Sequence, residues 1–309
     1  MIRSLVSVVV TTYKRDIKYV KEAIESIEGQ TYKTIEIIVI DDNGKNSKYA
    51  NGLKELCEKY QNVIYIANEV NSGAQVSRNK GILNAHGEYI AFLDDDDIWD
   101  KNKIEKQMLL FDRDSVGMVY CDGYSFADES KSKLSSFRSA SLFEIPISYG
   151  LELFNDYIGS TSQALIKKEC FCKIGIFDVE MPARQDYEMW LRISKEYEII
   201  GVPEKLLYYR IHSGERISTN WEKCYYSYYL ILKKYKNDYK KNRYAKSKLL
   251  LRLFSTGVMT KKYFMSIKFL MYAIITSPRC VTDVIKRHIQ RKSFSDFYTI
   301  EYLRKIGII

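Results

Sequence analysis

Apolar residues along this chain fall into short blocks separated by polar, glycine-bearing turns. Leu5 to Thr11 is a β-branched run with no polar face, the pattern of a strand buried on both sides. Thr12-Tyr13-Lys14-Arg15 follows as a loop. Asp16 is placed to cap a helix in which Val20, Ala23, Ile24 and Ile27 recur at helical spacing. Thr34 to Ile40 is a second strand, ending in Asp41-Asp42-Asn43-Gly44. Residues 47–60 read as a helix with Leu53, Leu56 and Tyr60 inward, and Val63 to Ala67 as a third strand. Asn71-Ser72-Gly73 turns into a helix over 74–85. Tyr89 to Leu93 is a fourth strand, and it ends abruptly in Asp94, Asp95, Asp96 and Asp97. The order βαβαβαβ with short connections predicts an α/β fold built on a parallel, right-handed, nucleotide-type sheet.

Beyond the fourth strand the pattern predicts an amphipathic helix over 101–113, with Ile104, Met108 and Leu109 inward, and a strand over Gly117 to Cys121. Residues 122–148 are polar, Ser-rich and unperiodic, and read as a loop. A strand is expected at Gln163–Ile166, a helix from Lys168, a helix from Arg184 to Tyr197 carrying Trp190 and Leu191, and a strand from Leu206 to Ile211. From Trp221 the pattern is helical. Tyr225, Tyr228, Tyr229, Leu232 and Tyr235 form one stripe, Leu249, Leu250, Leu253 and Phe254 a second, and Met265, Phe269, Tyr272 and Ala273 a third.

Charge sharpens that boundary. Residues 221–309 hold 20 Lys/Arg against 5 Asp/Glu, a net of +15, whereas residues 1–220 hold 28 against 34, a net of −6. Two regions follow, 1–220 and a basic, aromatic-rich helical 221–309. An apolar fraction of 46% over 309 residues supports a real core. The six cysteines lack metal or redox spacing and there is no secretory leader, so reduced thiols in a cytosolic protein are expected. No run of about 18 apolar residues is present, so no membrane span is expected.

The candidate chemistry lies at the carboxyl ends of the strands, where open α/β sheets bind ligands. Four adjacent carboxylates after a buried strand suit a hard cation such as magnesium, manganese or calcium, which commonly brings phosphate with it. An acidic turn with solvated charges is the plainer alternative. No Gly-x-Gly-x-x-Gly follows the first strand and no Walker lysine is present, which disfavours dinucleotide and P-loop folds.

Taken together, Val6-Ser7-Val8-Val9-Val10-Thr11-Thr12-Tyr13, Ile38-Val39-Ile40-Asp41-Asp42, Asn71-Ser72-Gly73 with Arg78-Asn79-Lys80-Gly81-Ile82, the Ala85–Asp97 stretch, Gln185-Asp186 with Trp190-Leu191-Arg192, and Tyr209-Arg210-Ile211-His212 resemble the family 2 glycosyltransferases of the GT-A fold over residues 5–218. The resemblance implies a Rossmann-like nucleotide-sugar-binding sheet and transfer of a sugar from a nucleoside diphosphate donor, usually a uridine one. It implies that Thr11 and Tyr13 lie at the donor, with Tyr13 stacked on the base, that Asp42 binds the uracil edge, and that Asp41 shapes the turn. Arg78 either touches the diphosphate or pairs with a carboxylate. Asp94 or Asp95 takes the ribose and a second metal contact, Asp96 holds Mn2+ or Mg2+, Asp97 caps the following helix, and His212 ligates the metal or contacts the diphosphate. Asp186 is the implied general base of an inverting displacement. The family often has Glu before this Asp; here Gln185 removes a charge beside the base. The Gln-x-x-Arg-Trp element of processive synthases is absent.

The implied setting is bacterial surface glycan synthesis, capsule, O-antigen or wall polymer, with a glycan or lipid-linked saccharide as acceptor. The basic tail suits an anionic membrane surface on the cytoplasmic side, or equally a bundle packed on the catalytic domain or in a homodimer. Nucleic acid is disfavoured because the aromatics are spaced for helical cores. Two alternatives are a sugar-phosphate nucleotidyltransferase, which would carry a Gly-rich loop after the first strand where Thr11–Arg15 has no glycine, and a non-catalytic module that kept the fold.

Overall fold

The computed structural model describes residues 4–127, 133–137, 140, 146–211, 220–290, 298 and 300–308. They divide into two compact units, Met1–Pro146 with Ile158–Val179 and Glu196–Ser213, and Ile147–Tyr157 with Glu180–Lys195 and Gly214–Ile309.

In the first unit the expected strands form. β1 (Val6–Thr12) lies between β2 (Ile35–Asp41) and β4 (Tyr89–Asp94), β3 (Val63–Ala67) is outside β2, and all these pairings are parallel. Both faces of β1 are covered, which is why a run of valines with no polar side suits it. α1 (Ile17–Glu28) starts where Asp16 accepts a hydrogen bond from the Lys18 amide, and it buries Val20, Ala23, Ile24 and Ile27. α2 (Ala50–Cys57) is shorter than the helix expected over 47–60. α3 (Ala74–Asn84) approaches the sheet closely: a Cβ on Gly81 would lie 2.3 Å from Cγ1 of Val9. The register sets Thr11 beside both Ile40 and Asp94, and Thr12 beside Asp41. The carboxyl ends of three strands thus form one edge.

Past β4 the sheet becomes mixed. β5 (Ile98–Trp99) follows the acidic loop, so Asp97 does not cap a helix as expected. α4 (Lys103–Met108) begins only at Asn102 and is shorter than 101–113. Its buried face is Lys103, Ile104 and Gln107, while Leu109, expected inward, is exposed beyond its end. Gln107 donates to the carbonyls of Val119 and Gln163, which holds a polar residue in the core and hides the true inward face of α4 from an apolar pattern.

β6 (Val116–Ala127) and β7 (Lys133–Phe137) overturn the expected loop over 122–148, although 128–132, 138–139 and 141–145 lie outside the described residues. β6 pairs along its length with β9 (Glu198–Ile211). That strand starts well before Leu206, and its register shifts between Val202 and Lys205. Pro203 sits in the shift, where its missing amide costs no ladder bond. β8 (Leu165–Lys167) joins β4 to β6, and α6 (Lys168–Ile174) follows it.

The second unit is helical: α5 (Tyr149–Phe154), α7 (Gln185–Glu196) apart from its last residue, α8 (Trp221–Lys234), α9 (Lys236–Lys241), α10 (Arg243–Met259), α11 (Tyr263–Thr276), α12 (Pro278–Ile289) and α13 (Ile300–Lys305). α10 packs against α5, α8, α9, α11 and α12. The charge boundary near 220 marks where the basic helices begin, but these helices share their unit with two earlier segments. Tyrosine hydroxyls account for that: Tyr187 donates to the Glu152 carbonyl at 2.9 Å and Tyr239 to the Leu153 carbonyl at 3.2 Å. Of the expected stripes, Tyr228, Tyr235, Leu249, Leu250, Leu253, Phe269 and Ala273 are buried, whereas Tyr229, Met265 and Tyr272 are exposed.

Candidate active site

Asp41 and Asp42 stand side by side at the end of β2 and do different work. One oxygen of Asp41 accepts from the amide and side chain of Asn43, and the other from the Tyr65 hydroxyl at 2.7 Å. This is a turn held by its first side chain, as expected. Asp42 is buried, and its carboxylate accepts four hydrogen bonds. Oδ1 receives the Ser72 amide at 2.8 Å and Asn68 Nδ2 at 2.7 Å; Oδ2 receives the Gly73 amide at 2.8 Å and Asn71 Nδ2 at 3.2 Å. A carboxylate has about four acceptor positions, so Asp42 is fully engaged in fixing the Asn68–Gly73 loop at the start of α3. A contact to a base edge would compete with bonds already made.

Tyr13 projects from the end of β1 and is 44% exposed, with the Lys14 ammonium 5.1 Å from its ring centre. Lys14 takes a positive φ of 49°, and its amide donates to Asn43, tying this loop to the one after β2. Thr11 is half-buried in register with Asp94.

The acidic loop is organised by three arginines. Arg15 donates to Asp95 through Nε at 2.8 Å and pairs with Asp96 through Nη2 at 2.8 Å, bridging the two carboxylates. Arg78, buried on α3, pairs with Asp94 at 2.7 Å, and its Nη1 is buried without a hydrogen-bond partner. Arg210 of β9 holds the loop from behind. Its Nε donates to the Asp96 carbonyl at 2.7 Å, its amide to Asp97 Oδ1 at 3.1 Å, and its guanidinium pairs with Glu22 and lies 4.7 Å from the ring centres of Tyr19 and Phe126. Burial pushes the Asp95 carboxyl up to about 7, with Arg15 opposing and Asp96 adding to the rise. Burial, then the charges of Asp96 and Asp94, holds Asp97 well above the usual carboxylate range, with hydrogen bonds from Ser162 and the Arg210 amide opposing. Asp97 is therefore an internal support for this loop.

No three His, Cys, Asp or Glu side chains form a metal-binding group among the described residues. His212 and the stretch 212–219 lie outside them. Magnesium needs only one or two protein carboxylates when substrate phosphates and water complete its shell. Asp94, a third exposed, and Asp96, less so, offer oxygen donors of that kind.

In the second unit Asp186 lies in the first turn of α7, half-buried, with its Oδ1 accepting from the Tyr187 amide at 2.8 Å. Glu188, two residues further on, is completely buried. It accepts from Arg192 at 2.8–3.2 Å and from the Tyr235 hydroxyl at 2.8 Å, and pairs with Lys234 at 2.5 Å. The arginine of Trp190-Leu191-Arg192 thus serves to neutralise Glu188.

Sequence reasoning missed Arg15, Arg210 and Glu188 as organising residues. Arg210 stood in the quoted Tyr209–His212 motif, which was the available signal. Nothing local marked Arg15, whose partners are some 80 residues away along the chain.

Residues 7–175 match the Glycosyl transferase family 2 profile. The chain is 34% identical over 245 residues to an uncharacterised glycosyltransferase of Methanocaldococcus jannaschii, covering 77% of this chain and 81% of that protein. It is 31% identical over 228 residues to TuaG of Bacillus subtilis, a glycosyltransferase named for teichuronic acid biosynthesis, covering 71% and 84% of the two. Residues 1–349 of S. aureus TarS, solved in complex with UDP-GlcNAc, share the fold with a TM-score of 0.62 at 18% identity, over 94% of this chain and 93% of that one. A parallel sheet edge carrying an arginine-organised acidic loop, together with these relatives, makes this chain a glycosyltransferase that belongs to family 2.

Proposed function

We propose that the enzyme transfers a sugar from a UDP-sugar donor to a hydroxyl of a glycan or lipid-linked saccharide, with inversion, in the synthesis of a bacterial surface polysaccharide. The observation that carries the reading is the edge formed by Tyr13 and Asp94–Asp96 at the carboxyl ends of β1 and β4, with Arg78 reaching Asp94 from α3. TarS, named with UDP-GlcNAc, supports the donor class, and TuaG supports the product class.

In this reading Tyr13 stacks on the uracil, using an aromatic face already open to solvent. Asp42 keeps the Asn68–Gly73 loop in place beneath the base, and Thr11 lines the floor. Arg78 turns its unpartnered Nη1 to the diphosphate while Nη2 stays on Asp94. Asp94 or Asp95 receives the ribose. Asp96, with His212, would hold Mg2+ or Mn2+, and when bound this ion neutralises the diphosphate as it leaves. Asp186 accepts the proton of the attacking hydroxyl; one base and one displacement invert the anomeric centre. Asp186 stands half-buried in the first turn of α7.

Isothermal titration with UDP, with and without Mn2+, tests the donor site. Binding should require the metal and weaken at least about tenfold in Asp96→Asn, the loss of one charged ligand. Asp186→Asn should bind UDP as the wild type does and hydrolyse UDP-sugars roughly a hundredfold more slowly. If UDP does not bind but another nucleotide does, the base assignment fails. If no nucleotide binds, the site is not a donor site.

A further inference from the structure

The outward face of α11 is more apolar than its inward face. Inward are Ser266, Phe269 and Ala273, with the Ala273 carbonyl accepting from Ser247 of α10. Outward, at helical spacing, are Phe264, Ile267, Met271 and Ile275, between 56% and 81% exposed. A helix on a protein surface ordinarily shows the opposite arrangement. No single described helix is long and apolar enough to cross a membrane; α11 and α12 together would be, but they are bent by 109°. Basic charge surrounds this face. The 44 residues from Tyr239 to Thr282 contain ten Lys/Arg and no Asp or Glu. Lys261, Lys268 and Arg279 are exposed, and the last turn of α12 carries Lys286, Arg287 and His288.

We propose that α11 lies in the plane of an anionic phospholipid membrane, with Phe264, Ile267, Met271 and Ile275 at the boundary between headgroups and acyl chains and the surrounding lysines and arginines on the lipid phosphates. A second copy of this chain is the weaker occupant, because a symmetric contact would bring two surfaces of predominantly positive charge together. An anionic bilayer satisfies the apolar stripe and the charge at once. The bend at Ser277–Pro278 keeps α12 from extending α11 into a straight span. This inference gives the proposed acceptor chemistry a location but does not rest on it, since membrane binding is read without donor or acceptor.

The full-length protein is sedimented with vesicles of phosphatidylcholine alone and of phosphatidylcholine mixed with phosphatidylglycerol. Binding is expected only to the mixed vesicles, and it should decline as salt is raised. Phe264→Asp with Ile275→Asp should weaken it at least a hundredfold, by roughly the loss of two large apolar side chains. Lys261→Gln with Lys268→Gln should weaken it about thirtyfold, by the attraction of two basic residues to the surface. Both variants should bind UDP as the wild type does, which separates this result from any failure of the donor site. The proposal is overturned if the protein stays in solution with mixed vesicles, if it binds neutral vesicles equally, if the α11 variants bind like the wild type, or if those variants instead dissociate a dimer.

Discussion

Asp42 offers the sharpest test of how the donor edge is built. In Asp42→Asn one oxygen becomes an NH2 group. Whichever way the amide turns, that group faces two donors, either the Gly73 amide and Asn71 or the Ser72 amide and Asn68. Two of the four bonds are lost, and a hydrogen bond to a charged acceptor contributes about 1.5–3 kcal/mol. Ser72 and Asn71 are exposed enough to recover water, so the net cost is about 3 kcal/mol, the low end of the sum of two such bonds. Negative charge at the start of α3 is lost as well. Amide hydrogen exchange at Ser72 and Gly73 reads this locally: 3 kcal/mol corresponds to roughly a hundredfold faster exchange. UDP affinity should fall in parallel. If exchange at these amides is unchanged while UDP affinity drops, Asp42 acts on the nucleotide directly, and the staple account is wrong.

Two further predictions concern the scaffold. Lys103 is completely buried against the Trp99 ring, and burial pushes its ammonium down to about 8 from an ordinary 10.5. Between those values the unfolded chain holds more protons, so this residue's contribution to stability rises with pH, by up to about 1.4 kcal/mol per unit. Below pH 8 both states are charged and the slope vanishes. Denaturation of wild type and Lys103→Met across pH 7–10 should show the slope difference only above 8; parallel curves would refute it. Separately, Gly81→Ala should cost about 1–3 kcal/mol through overpacking against Val9, and Val9→Ala in the same chain should recover part of it; simple additivity of the two losses would contradict the close approach.

Much of the first unit is legible along the chain. β1 and β4 are continuous apolar runs, and β2 nearly so, because both faces of the parallel sheet are covered there, whereas edge strand β3 is only partly buried; α1 announces itself by Asp16 and a regular buried face. The polar loops after β1, β2 and β4 mark the working edge for the same reason: charge is tolerated only where the strands end. Where packing is polar, the pattern fails. α4 turns Lys103 and Gln107 inward, and β6 keeps Asp122 in its core on a hydrogen bond from the Ala140 amide, so the apolar period found both elements but misjudged the inward face and length of α4 and stopped β6 at Cys121.

The sequence by itself determined the βαβαβαβ succession of the first elements, the acidic loop, the family and the basic character of the C-terminal helices. Each is written in local runs or short motifs of neighbouring residues. Only the tertiary structure decided which charges meet. Arg15 reaches Asp95 and Asp96, Arg210 reaches back to the same loop, and Asp42 gives up its carboxylate to the start of α3. It also decided that the better-packed side of α11 is its more polar one. The physical reason is range: hydrophobic period and capping are local, whereas the desolvation of a carboxylate is settled by whichever cation the fold brings within hydrogen-bond distance.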